Sequence, residues 1–269
     1  MLKFLPPQFD PASFQDNDLG DLGGLIQSMR WFVSRSSLLI YFWAMHEEFE
    51  TEAHSPRSAK SLPADAMYML RRALLHSVIL EIRALHDRDP KSLGSKQLAE
   101  KLSIPDTRSD FFDFLNEGSY DHVMQDEFQR EIYLDYIKKY AGLMSAPNGK
   151  SKLYHHPLSS KTQLIRRMAN KAVAHSTLDD YKLSGEDIAD VVLASLTIAC
   201  AIQAATGDAS ISKDLALVEK SGHEAAGLLL HVEVDSEPHH INMIRSFLPT
   251  WVGSGLEYPN YPGDFLPNA

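Results

Sequence analysis

The sequence predicts an all-α protein, an antiparallel helical bundle with an inserted helical segment and an extended C-terminal tail. Three observations carry this. Apolar residues recur at three- and four-residue intervals through several long segments. An alanine-rich stretch over 184–206 has a start signal at one end and a glycine at the other. Proline and glycine gather between the periodic segments rather than inside them.

Taken in order, residues 1–24 contain Pro6, Pro7, Pro11 and Gly23-Gly24 and read as an irregular N-terminal arm. Residues 25–245 read as the helical domain. Its first helix spans 25–53, with Trp31, Leu38, Phe42, Met45 and Phe49 on helical spacing. The second spans Ala64–Asp87, where Met67, Leu70, Leu74, Val78, Ile82 and Leu85 form one stripe and Asp89-Pro90 stops it. Residues 91–158 are read as an insertion, holding a short helix near Ser95–Leu102, a linker rich in Phe and Asp, and a helix over about Asp121–Leu143. In the latter, Phe128, Ile132, Tyr136 and Tyr140 repeat every fourth residue.

After the turn chemistry of Ala146–Pro157, a helix is expected from Ser160 to Ala174 and another from Ser184 to Thr206. Ser184 and Asp187 form a capping-box pattern, and Gly207 supplies the stop. The small residues Ala189, Ala194, Ser195, Ala199 and Ala205 suit close approach to neighbours, with Cys200 packed there as a small apolar residue. A further helix covers Lys213–Leu230, after which HVEVDSEPHH breaks the pattern with room for one short strand. Residues 246–269 alternate aromatics with Pro249, Pro259, Pro262 and Pro267 and read as an extended tail.

The 44% hydrophobic and 23% charged content is that of an ordinary globular chain. A net charge of -10 argues against a general coating of nucleic acid, although a local basic patch still sets the field at a cleft. The single cysteine excludes an internal disulfide and an all-cysteine zinc site. No uninterrupted apolar run of membrane-spanning length is evident, so a cytoplasmic location is expected.

Two polar stripes hold the candidate chemistry. Arg72, His76, Arg83 and Asp87 share an arc of the second helix. Read alone they form a solvated face with an Arg83–Asp87 ion pair. A partner stripe lies in RRMANKAVAHSTLDD, where Arg167, Lys171 and His175 recur every four residues. A histidine moves a proton near neutral pH, and a neighbouring cation holds a phosphate during cleavage without a metal. The plainer alternative is a histidine closing the helix C-terminus with cations solvating the face.

The segments LLHSVILEIRALHDRD and NKAVAHS, the latter followed by a capped helix, resemble the HEPN domains of abortive-infection proteins. The likeness covers roughly residues 25–90 and 159–206, matching at Asp87, Asn170, Lys171, Ala174 and His175. It implies a homodimer whose motifs face one cleft, acting as a metal-independent endoribonuclease toxin or as an RNA or nucleotide binder, with an antitoxin as a possible partner. In the catalytic reading His175, Lys171 and Arg167 do the chemistry while Asn170, Arg166, Asp87 and Arg83 bind and orient the substrate. The alternative is a non-catalytic module binding RNA, a nucleotide or a protein.

One departure separates them. The family places an arginine four to six residues before the histidine, and this chain has Ala169 there. Arg167 lies eight residues before His175, about 12 Å along a helix axis. Lys171 is nearer but lacks the planar fork of arginine. The adjacent pairs His155-His156 and His239-His240 lack the accompanying ligands of a metal shell, so neither metal nor cofactor is expected. GDLGG lacks the strand and lysine of a phosphate loop.

Overall fold

The computed structural model describes residues 20–53, 64–89, 91–118, 127–146, 156–175, 184–206, 214–230 and 237–248. Within them the chain forms α1 (Gly20–Ala53), α2 (Ala64–Leu85), α3 (Ser95–Lys101), α4 (Pro105–Gly118), α5 (Glu127–Met144), α6 (Pro157–His175), α7 (Gly185–Thr206), α8 (Leu215–Leu230) and α9 (His239–Phe247). No strand occurs among the described residues, and the all-α class holds. The expected turn chemistry of 147–155, Gly207, the short strand within 231–236 and the tail beyond 248 lie outside them.

α1 is the spine of the molecule. It begins at Gly20, five residues before the expected start at residue 25, and Leu22 already packs in the core, so the N-terminal arm ends sooner than residue 24. Leu25, Met29, Phe32, Val33, Leu39 and Ile40 are fully buried. They face different ways around the helix, because α2, α3, α7 and α8 all pack on it. A helix covered on several sides needs no single apolar stripe.

Side-chain pairs fix the relative directions. Glu50, late in α1, accepts from Arg71 Nε of early α2 at 2.8 Å, and Glu81, late in α2, accepts from Arg35 at 3.1 Å. The α1–α2 pair is therefore antiparallel. Gly222 sits against Tyr41 and Ala44, while Leu230 shares an apolar cluster with Phe49, so α8 runs in the same direction as α1. Lys161 of early α6 pairs with Asp187 at 3.0 Å and with Asp190, both in early α7. Those two helices also start from one end.

α7 occupies the centre. Its N-terminus carries the expected capping box: the Asp187 N–H donates to Ser184 Oγ at 3.1 Å, and the Ser184 N–H donates to Asp187 Oδ2 at 3.1 Å. Fourteen of its residues are buried, Cys200 among them, and burial pushes that thiol up to about 12. By length and composition α7 could cross a membrane, contrary to the sequence expectation. It is the one described helix that could, and 78% of the qualifying window is buried inside the protein.

The described helices of 91–158 share this core rather than sitting apart from it. Leu98, Leu102, Phe111, Leu134, Tyr136, Ile137 and Tyr140 pack in the same cluster as α1 and α7. The expected Phe- and Asp-rich linker is in fact α4, which starts on Pro105, a residue suited to a first helical turn. α4 buries Phe111 and Phe112 and is held to α5 by Arg108, which donates to Asp135 at 2.7 Å and also pairs with Glu131. α9 is a second helix that local pattern did not indicate, and it extends past residue 246, where the tail was expected to begin. Glu219 of α8, itself fully buried, accepts the His240 N–H at 2.8 Å and the Ile241 N–H at 2.9 Å, supplying an N-terminal cap from another helix.

Candidate functional site

α2 and α6 pack against each other. The site is built where α2 ends. His86 N donates to Ile82 O at 3.1 Å, but Asp87 N reaches only Ala84 O at 3.4 Å, so the helix closes two residues earlier than expected. Asp87 consequently lies beyond α2 (Ala64–Leu85) and does not continue the arc of Arg83. Its Oδ1 instead accepts the Arg88 N–H at 2.6 Å and the Asp89 N–H at 3.2 Å. This local capping turns the chain out of the helix and presents Arg88.

His86 fixes that turn from inside. It is fully buried, with Nε2 2.8 Å from Ser195 Oγ of α7 and Nδ1 3.1 Å from Ser95 Oγ of α3. Ser195 donates its own proton to Val191 O at 2.6 Å. Ser195 must therefore accept from His86 Nε2–H, leaving Nδ1 to accept from Ser95. Burial, and secondarily Arg166, push the imidazole down to about 3, so it is neutral at physiological pH. The edge of Phe32 completes the enclosure, with ring centroids 6.0 Å apart. Gly94 tightens it further: a Cβ there would stand 2.4 Å from Leu85 O.

α6 brings Arg166 to this place. The guanidinium is half-buried, and burial lowers its pKa from the ordinary arginine range; Arg88 acts in the same direction, Asp87 against it, and Arg83 with it. Arg83 near the end of α2, Arg88 in the turn beyond it and Asp87 thus all act electrostatically on Arg166 of α6. Lys96 adds a cation close by, its Nζ donating to Arg88 O at 3.4 Å. Such a concentration of positive charge in an acidic protein is a local anion-attracting field.

Of the residues singled out from sequence, Arg166, Arg83 and Asp87 converge here. Arg167 and Asn170 are exposed on α6, on a different side from the buried Ile165, Met168 and Ala169. Lys171 and His175 belong to the last turns of α6, and their side chains lie outside the described residues. Ala169, at the family's arginine position, is fully buried. A longer side chain there would enter the core rather than a cleft. Elsewhere on the α2 stripe, His76 Nε2 is buried with no hydrogen-bond partner among the described residues.

Sequence reasoning missed Arg88, His86 and Lys96. Arg88 was assigned to the terminating segment, and nothing in its neighbours marks it as facing another helix. The signal for His86 was its place between the apolar residues Ile82 and Leu85 and the turn at Asp89-Pro90, on the buried side of the helix. One histidine of each adjacent pair has a structural partner: His156 Nδ1 accepts the Leu158 N–H at 3.3 Å, and His240 Nε2 lies 2.8 Å from Glu47 Oε2. Among the described residues no group of three or more His, Cys, Asp or Glu is placed to hold a metal.

No family model, curated protein or solved structure matches the chain.

Proposed function

We propose that the protein is a HEPN-like RNA-binding defence protein that cleaves a phosphodiester without metal, using the α2–α6 face. The observation that carries this reading is the packing of α6, with its half-buried Arg166, against α2; Arg88, Asp87 and Arg83 all act electrostatically on that guanidinium. Guanidinium groups offer paired N–H donors that match phosphate oxygens, and they gain strength where water is partly excluded. His175, at the end of the same helix, takes the proton of a ribose 2′-hydroxyl as that oxygen attacks phosphorus. The leaving 5′-oxygen then departs with a proton, yielding a 2′,3′-cyclic phosphate. Lys171, with Arg167 beside it, stabilises the charge that builds on phosphate, and Asn170 orients the strand. A homodimer, with a cytoplasmic location and an antitoxin as a further partner, completes this reading, since pairing two such faces doubles the local positive charge.

A second reading is favoured by one specific observation. Ala169, six residues ahead of His175, is fully buried, and no arginine stands four to six residues before that histidine. On that reading the same face binds RNA without cutting it.

One experiment separates the two. Purified protein is incubated with a mixed RNA pool in excess chelator, alongside His175→Ala. Cleavage with cyclic-phosphate ends, reduced at least about a hundredfold in the variant, supports the nuclease. Cleavage unchanged in His175→Ala sinks the assigned chemistry. RNA retention without cleavage, lost at high salt, leaves the binding module.

A further inference from the structure

α9 has 9 residues, and an isolated helix shorter than about 12–15 residues is marginal in water. Its place therefore depends on what other elements hold it. Ile241, Ile244 and Leu248 sink into the main apolar cluster, where α9 lies against α7 and α8. Its polar anchors come from several directions. Glu219 of α8 caps the first turn with both carboxylate oxygens, taking the His240 N–H at 2.8 Å and the Ile241 N–H at 2.9 Å. Glu47 of α1 lies 2.8 Å from His240 Nε2. At the far end Arg245 pairs with Asp214 at 3.4 Å, and the Tyr133 hydroxyl of α5 donates to Leu248 O at 3.4 Å.

Of these anchors, the His240–Glu47 pair contains the residue type that changes charge near neutral pH. A proton reaches it without prior opening, because the two side chains keep 23% and 33% of their surface in solvent. The charges that face His240 are of one sign, Glu47 from α1 and Glu219 from α8. Burial by itself lowers the imidazole's pKa, but the Glu47 hydrogen bond and charge, and then the Glu219 charge, outweigh it and raise the group above its usual 6.5. The remaining neighbours are engaged with one another. Glu48 of α1 lies 2.7 Å from His223 Nδ1 of α8, and that ring meets His239 edge to face at 6.5 Å. Farther along α1, Glu50 is 3.5 Å from His46 and accepts from Arg71 of α2. α7 presents the buried, uncharged Cys200. Once α9 leaves, the imidazole returns to its ordinary value, so the docked state holds the proton more tightly. Proton binding therefore favours docking, fully below about 6.5, and the gain is lost as pH rises through the docked value.

We infer that α9 is a pH-sensitive latch: the His240–Glu47 clasp, set beside the Glu219 cap, closes α9 over α7 and α8 in mildly acidic conditions and loosens it in mildly alkaline ones, baring Ile241, Ile244 and Leu248. The latch is independent of the α2–α6 face. Its sense is opposite to that of His86, whose burial as a neutral ring weakens the whole fold as pH falls. Local and global effects are therefore separable in one experiment.

The test uses the full chain and amide hydrogen exchange at about pH 6 and about pH 8.5, each rate corrected for the intrinsic pH dependence of exchange, with α7 amides as the reference for global opening. In the wild type, opening of α9 relative to α7 is expected to rise several-fold from the lower pH to the higher. His240→Gln keeps a donor for Glu47 but cannot take the charge, so its α9 is expected to open alike at both pH values, at the wild type's alkaline level. His240→Lys stays charged throughout, so its α9 is expected to remain closed at both. Glu47→Gln removes most of the pH response from the α1 side, which keeps the test decisive where a His240 variant fails to fold. Wild-type α9 protection that is unchanged between the two pH values overturns the latch, and so does a pH response that survives undiminished in His240→Gln or in Glu47→Gln.

Discussion

Gly94 shows how one residue sets the geometry of the site. Its φ is -79°, so it is not there to adopt a left-handed backbone. It is there because any Cβ would meet Leu85 O at 2.4 Å and Ala84 O at 3.3 Å, both of them backbone atoms that cannot swing aside. Gly94→Ala is expected to cost about 1–3 kcal/mol, the usual penalty of overpacking a fixed environment. In urea unfolding this would appear as a lower midpoint at constant slope. It would also shift the turn bearing Arg88, which makes it a sensitive reporter of the cluster. Nothing local in the sequence singles Gly94 out, because its constraint is imposed by residues nine and ten positions earlier. Arg166 entered as a candidate only through the resemblance, one residue off the stripe of Arg167, Lys171 and His175, whereas Arg88 did not, since the α6 residues that act on it are distant in the chain.

At the scale of helices, legibility follows whether the stabilising partners are local. α7 was read almost to the residue because Ser184 and Asp187 cap it from within its own first turn. Ser184→Ala is expected to remove about 1 kcal/mol, the ordinary worth of a capping side chain. Asp187→Ala should cost more, since Asp187 also pairs with Lys161 of α6 at 3.0 Å. Equilibrium unfolding of both variants measures the difference, and equal losses would show that the ion pair to α6 contributes nothing. α9 is the opposite case. Its N-terminal N–H groups are satisfied by Glu219, which belongs to α8, so no local residue announces the start. α4 was missed for a related reason: its hold on α5 through Arg108 comes from the fold rather than from its own periodicity.

For the whole molecule, buried histidine ties stability to pH. His86 is neutral in the folded protein, at about 3, and has its ordinary value near 6.5 once unfolded. Below pH 6.5 the unfolded chain therefore takes up a proton that the folded chain refuses, so stability is full above that value and falls as pH drops towards 3. The slope from this one group approaches about 1.4 kcal/mol per pH unit. His46, also lowered chiefly by burial, acts in the same sense. Glu81, raised chiefly by burial against the pull of Arg35, acts in the opposite sense, because its folded form holds a proton more readily. Comparing wild type with His86→Gln in urea between neutral pH and pH 4 isolates the histidine: the variant is less stable at pH 7 and flatter with pH. Parallel curves would place the pH dependence elsewhere. What the sequence by itself determined was the all-α class, the periodic helices α2, α5, α6 and α7, and the capping of α7, since each is written in contacts between residues within a few turns. The tertiary structure alone decided that α1 and α8 run in the same direction, that α3, α4 and α5 share the central core, and that α6 packs against α2. Those outcomes depend on which faces find one another across the chain, and hydrophobic burial, which drives that choice, carries no direction of its own.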